Sequence, residues 1–64
     1  MGDFYWTVHD QAGNDLRDTQ HFDSKEEAES FMGTDWQALL DEGGEAASLK
    51  DGDVVLYRMG LRET

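Results

Sequence analysis

A chain of 64 residues holds one domain at most, spanning 1–64, and at this size buries only about 60% of the surface its unfolded form exposes. It has no cysteine to staple a core and no close His/Cys cluster of the zinc-finger kind, so packing must hold it. Fifteen acidic against five basic residues, a net charge of −10, work against binding to nucleic-acid phosphates or anionic membrane surfaces and leave a basic protein partner or a divalent cation compatible.

The first element is DFYWTVHD, where Phe4, Trp6 and Val8 alternate with Tyr5, Thr7 and His9 as in a half-buried strand. QAGND supplies a turn, with Gly13 and Asn14 as the residues expected in the left-handed region, and LRDTQHF is the returning strand. A loop at Ala12–Asn14 keeps Leu16 and Phe22 on the Trp6 face. It sets Tyr5 opposite His21, Thr7 opposite Thr19 and His9 opposite Arg17. The same register turns Asp18 and Gln20 inward beside Val8 and Trp6. Either a bulge or a sheet end overhanging the helix would resolve that conflict.

A helix follows. Ser24 and Glu27 form an S-x-x-E capping box, and Ala28, Phe31, Met32, Trp36, Leu39 and Leu40 recur as the apolar stripe of one face. Gly33 interrupts the stripe, and Thr34 with Gln37 repeats a capping-box pattern directly after it. The segment therefore reads as one helix, straight or kinked at Gly33, or as two meeting there, and the unbroken stripe favours one. Gly43–Gly44 ends it. Beyond lie EAASL, poor in strand formers, a turn at Asp51–Gly52, and DVVLYRM, the stronger strand. The expected fold is α+β, a two-layer sandwich: an antiparallel β-β-α-β-β sheet with the helix on one face. Trp6 and Trp36 should meet in its core, unless one of them stands in a groove and anchors a partner.

Chemistry-bearing motifs are sparse. His9 and His21 share a face in the expected register but stand about 13 Å apart at strand rise, too far to ligate one metal. DGD at Asp51–Asp53 and DEGGE at Asp41–Glu45 lack the spacing of a calcium loop. No serine lies in a nucleophile-elbow context, no glycine-rich phosphate loop is present, and so small a two-layer fold is expected to lack a pocket of several hundred Å³. A non-enzymatic protein without cofactor or metal is the expectation. No apolar run is long enough to span a membrane, and MGDFYW carries an acid where a signal peptide is positive and Trp6 where a myristoylation signal needs Ser or Thr, so the cytoplasm is the expected compartment.

The helix segment holds Asp23, Glu26, Glu27, Glu29, Asp35, Asp41 and Glu42 against Lys25 alone. Acids in the first turn suit the helix dipole, whereas Asp41 and Glu42 oppose it. Solubility accounts for such a surface, and so would a cationic partner. The candidate partner-binding residues are Tyr5, Arg17, Glu26, Glu29, Asp41 and Glu42. The expected role is that of a small acidic interaction or accessory protein, a monomer or weak homodimer, that binds another protein, for which the charge is compatible with a basic one. The alternative is an acidic helix face imitating DNA phosphates to block a DNA-binding protein.

YWTV at Tyr5–Val8, F-x-S-K-E-E-A at Phe22–Ala28 and VLYRMGLR at Val55–Arg62 resemble a group of small acidic bacterial proteins of about this length. That resemblance implies no activity and transfers no functional residue.

Overall fold

The computed structural model describes residues 2–61; Met1 and Arg62, which the motifs above include, lie outside that range. Four strands and one helix follow in the expected order: β1 (Phe4–His9), β2 (Asp15–Asp18), α1 (Lys25–Asp41), β3 (Ala46–Asp51) and β4 (Val54–Gly60). They make one antiparallel sheet in the order β2-β1-β3-β4, with α1 packed on one face, chiefly over β1. The period-two pattern of β1 sends Trp6 and Val8 into the layer between sheet and helix, where Met32, Leu39 and Leu49 bury with them. Trp6 is fully buried, and its indole N–H donates to the Ala28 carbonyl at 2.8 Å, so burial leaves no polar atom unpaired there. Each large apolar side chain removed from water this way contributes on the order of 1.5–3 kcal/mol.

The register of the first hairpin agrees with the expected one at one end and slips at the other. Phe4 bridges Phe22, and Tyr5 stacks on His21 with ring centroids 4.5 Å apart. Farther along, Thr7 faces Asp18 instead of Thr19, and His9 faces Asp15 instead of Arg17, with a bulge between Val8 and His9. The slip removes the inward-acid conflict. Asp18 joins Thr7 on the outer face and accepts its hydroxyl hydrogen bond at 2.7 Å. Thr19 turns in, is buried, and accepts the Trp6 N–H on its Oγ1 at 2.9 Å. The connection is longer than expected: Asp10 N–H donates to the Asn14 carbonyl, and Gly13 alone takes positive φ, with Asn14 in an ordinary conformation.

The helix is continuous through Gly33. Ser24 caps it, its Oγ accepting the Glu27 N–H at 3.1 Å, while the second capping signal is spent inside the helix, where Thr34 Oγ1 donates to the Ser30 carbonyl. At the other end Gly43 N–H donates to Leu40 O and Gly44 N–H to Leu39 O, a Schellman ending with Gly43 at φ +103°. Gly44 is held to glycine by space, since a Cβ there would lie 2.7 Å from a Val8 methyl.

Both C-terminal strands form, but strand strength and place in the sheet do not correspond. EAASL, the weakest strand by composition, forms most of the central strand β3. Ala46, Ala47 and Ser48 are all buried, Ala47 in the core under the helix and Ser48 against His9 on the outer face, so short side chains answer to the space on both faces of β3 instead of to strand propensity. DVVLYRM, the strongest strand signal, is an edge, and Val54, Val55, Leu56 and Met59 stand exposed. Trp36 does not meet Trp6; it is 39% exposed on the side of α1 toward β4. No helix among the described residues is long and apolar enough to cross a membrane.

Candidate functional site

Because α1 lies over β1, the inner face of β4 is only partly roofed. Helical spacing stacks Glu29, Met32, Gly33 and Trp36 along one wall, and strand alternation brings Tyr57 and Met59 to the other. Leu61 and the edge of Trp6 complete a groove of about 470 Å³. The expectation that so small a fold has no room for such a pocket is therefore corrected, and the volume lies within the range of about 300–1,000 Å³ usual for ligand sites. Tyr57 meets Trp6 edge to face, with centroids 5.8 Å apart.

One polar pair sits in this apolar wall. The Tyr57 hydroxyl donates to Glu29 Oε2 at 2.9 Å, and the Lys25 ammonium lies 5.6 Å from the Tyr57 ring centroid. Burial of the phenol, then its hydrogen bond to Glu29 and the charge of that carboxylate, push the Tyr57 pKa up to about 12. The phenol therefore stays a neutral donor at physiological pH.

Gly33 gives the groove its width. A glycine inside a helix costs about 0.5–1 kcal/mol relative to alanine. Here the backbone is ordinary helix, and a Cβ would meet no other atom within 4 Å. The fold has room for a side chain at this place and carries none.

The outer sheet face holds a different cluster. His9 Nε2 lies 2.8 Å from Ser48 Oγ and His9 Nδ1 lies 3.0 Å from Asp15 Oδ1, the order of groups in a hydrolytic triad. Ser48 is 5% exposed in a central strand whose N–H groups are committed to ladders on both sides, so no backbone oxyanion hole adjoins it. The three side chains bond to one another across β1, β2 and β3, and His9 gives the buried Ser48 hydroxyl its partner. Nearby, His21 Nδ1 contacts Asp3 Oδ1, and Lys50 lies over the Tyr5 ring. Among the described residues no three His, Asp or Glu side chains gather as a metal site.

The six candidate residues scatter. Tyr5 is half-buried on the outer face, its hydroxyl bonded to the Gly52 carbonyl. Arg17 on β2 pairs with Glu42 at 2.9 Å. Glu26 is exposed in the first helical turn and Asp41 at the last helical position. Only Glu29 reaches the groove. Tyr57 faces the helix, and Thr19, expected opposite Thr7, is buried. Trp36, Gly33 and Met59 were absent from the candidate set. The signal for them was Gly33 in the stripe next to Trp36, an interruption with no turn to explain it.

No family model, curated protein or solved structure matches this chain.

Proposed function

We propose that the protein is a non-enzymatic binding module whose groove between α1 and β4 receives a large apolar side chain from a segment of a basic protein partner. The observation that carries this reading is Gly33: a destabilising residue, needed neither for backbone nor for packing, in the wall of an apolar groove where Trp36 and Met59 stand exposed. Exposed tryptophan beside a pocket is the usual anchor of protein recognition. The net charge of −10 steers a cationic partner toward the surface, and Glu29 at the groove wall gives a neighbouring lysine or arginine a specific place.

The phosphate-mimic reading draws less support. Glu29 reaches Tyr57 on β4 and Glu42 reaches Arg17 on β2, so carboxylates of one helix turn to opposite sides of the sheet and do not line up as a backbone of phosphates would.

A peptide-display selection against the immobilised protein tests the proposal. Selected peptides should carry an aromatic or long aliphatic residue near Lys or Arg, shift the emission of the exposed Trp36 to the blue, and lose at least tenfold in affinity to Gly33→Leu. That variant fills the groove with a good helix former where the fold has space. Failure to select any peptide, or binding unchanged in Gly33→Leu, would overturn it.

A further inference from the structure

From Val54 to Gly60, β4 contains no carboxylate and a single charge, Arg58, in a chain with fifteen acids. Val54, Val55 and Leu56 are 60%, 55% and 41% exposed, so the strand is apolar where it borders water. Its outer backbone is open as well. Leu61 N–H donates to the Glu45 carbonyl at 2.9 Å, and the alternation of an antiparallel ladder from that pair turns the amide and carbonyl groups of Arg58 and Gly60 away from β3. Beside them, Asp53 and Arg58 are both exposed and neither joins an ion pair among the described residues.

We infer that β4 pairs antiparallel with β4 of a second copy of the chain, each Asp53 running toward the other copy's Arg58. Three observations select a second copy over an unrelated strand. Two chains of like net charge meet with least repulsion along the one edge that lacks carboxylates. Antiparallel alignment by a two-fold axis supplies the opposite charge that Asp53 and Arg58 both lack, twice over, and lays one apolar run beside the other. Registers that set Arg58 against Arg58 are excluded by the same rule. The far edge, β2, is four residues long and carries two aspartates and an arginine, so it offers no second site. Pairing therefore closes at two copies, joining two four-stranded sheets into one, instead of growing into a fibre.

This pairing does not rest on what the groove binds, and the two are read separately. Sedimentation equilibrium should give twice the single-chain mass of 7.3 kDa at high protein concentration, with the dimer fraction rising as salt screens the net charge. Arg58→Glu should weaken association roughly tenfold while leaving circular dichroism unchanged, and Asp53→Arg combined with Arg58→Glu should restore it. The amide hydrogen of Arg58, which the Asp53–Arg58 register sets against the partner strand, should be protected from exchange in the dimer. A single-chain mass at every concentration, a dimer indifferent to Arg58→Glu, no recovery in the double variant, or free exchange of the Arg58 amide would each overturn the inference. Loss of dimer with peptide binding intact would leave the groove reading standing, and the reverse would leave the pairing standing.

Discussion

The two edges of this sheet manage exposed backbone in opposite ways. β2 is short, has Asp15, Arg17 and Asp18 in four residues, and is wrenched out of register by a bulge against β1. Those are the devices by which strands avoid pairing with other chains. β4 is seven residues long, has one charge, and shows its apolar side chains to solvent. It too has an irregularity, between the Leu49–Tyr57 and Lys50–Val55 pairs, but Tyr57 to Gly60 stays regular. In a chain with 31% charged residues, an edge with a single charge and exposed apolar side chains makes sense if something covers it. The difference teaches where to look for contact: protection on one side makes its absence on the other informative.

The protected edge hangs on a single side chain. Thr19 Oγ1 takes the buried Trp6 N–H that a regular ladder would have given to a carbonyl, and passes its own proton to the Gln20 carbonyl at 3.1 Å. Thr19→Val keeps the shape and removes the acceptor, so it should cost about 1–3 kcal/mol, the penalty of an unpaired buried N–H. Urea denaturation measures it. A loss under about 0.5 kcal/mol would mean that the slipped register is held by something else.

That dependence also marks where reading from sequence ended. Element order, the single helix, its Ser24 cap and its Gly43 stop were all legible, because each is written in neighbouring residues. So was the trouble at Asp18 and Gln20, since period-two alternation exposes any inward acid; which remedy applied required knowing that Thr19 could stand in for a carbonyl. The positions of β3 and β4 were not legible. Alanine and serine look weak until the space on both faces of β3 is known, and Val54–Leu56 looks like core because composition does not say which strand ends at an edge. The site suffered for the same reason. Carboxylates were conspicuous and drew the candidates, while the groove depends on a missing side chain at Gly33 and on how far α1 reaches across the sheet.

On the β4 side, Tyr57 tests whether the groove wall is built as described. Its folded pKa of about 12 lies above the ordinary 10.0, so the folded state holds the proton more tightly than the unfolded chain. The stability this provides is complete below pH 10 and is lost as pH rises from 10 toward 12. For a part-exposed ring the loss is on the order of 1 kcal/mol. Glu29→Gln removes the charge but not the burial, so the phenolate absorbance midpoint should fall toward 10 without reaching it. An unchanged midpoint would detach Glu29 from Tyr57.

Gly33→Ala separates fold from function at that wall. The methyl group has open space and the helix gains, so stability should rise by about 0.5–1 kcal/mol. No gain in a thermal melt would mean that the glycine serves the helix after all, and the argument for a purposely open groove would go with it.

The smallest expected effect on stability makes the sharpest comparison of the edges. Leu16 on β2 and Val55 on β4 are both exposed, at 43% and 55%, and lysine at either place should change folding stability by no more than about 0.5 kcal/mol. Their effects on association should differ. Leu16→Lys adds a charge to an edge already closed to other strands, so the concentration dependence of the mass should not move. Val55→Lys puts a cation where two copies would lie side by side, repeated by the two-fold, so association should weaken. Equal behaviour of the two variants, whether both inert or both disruptive, would mean that the contrast between a guarded and an open edge has no consequence in solution.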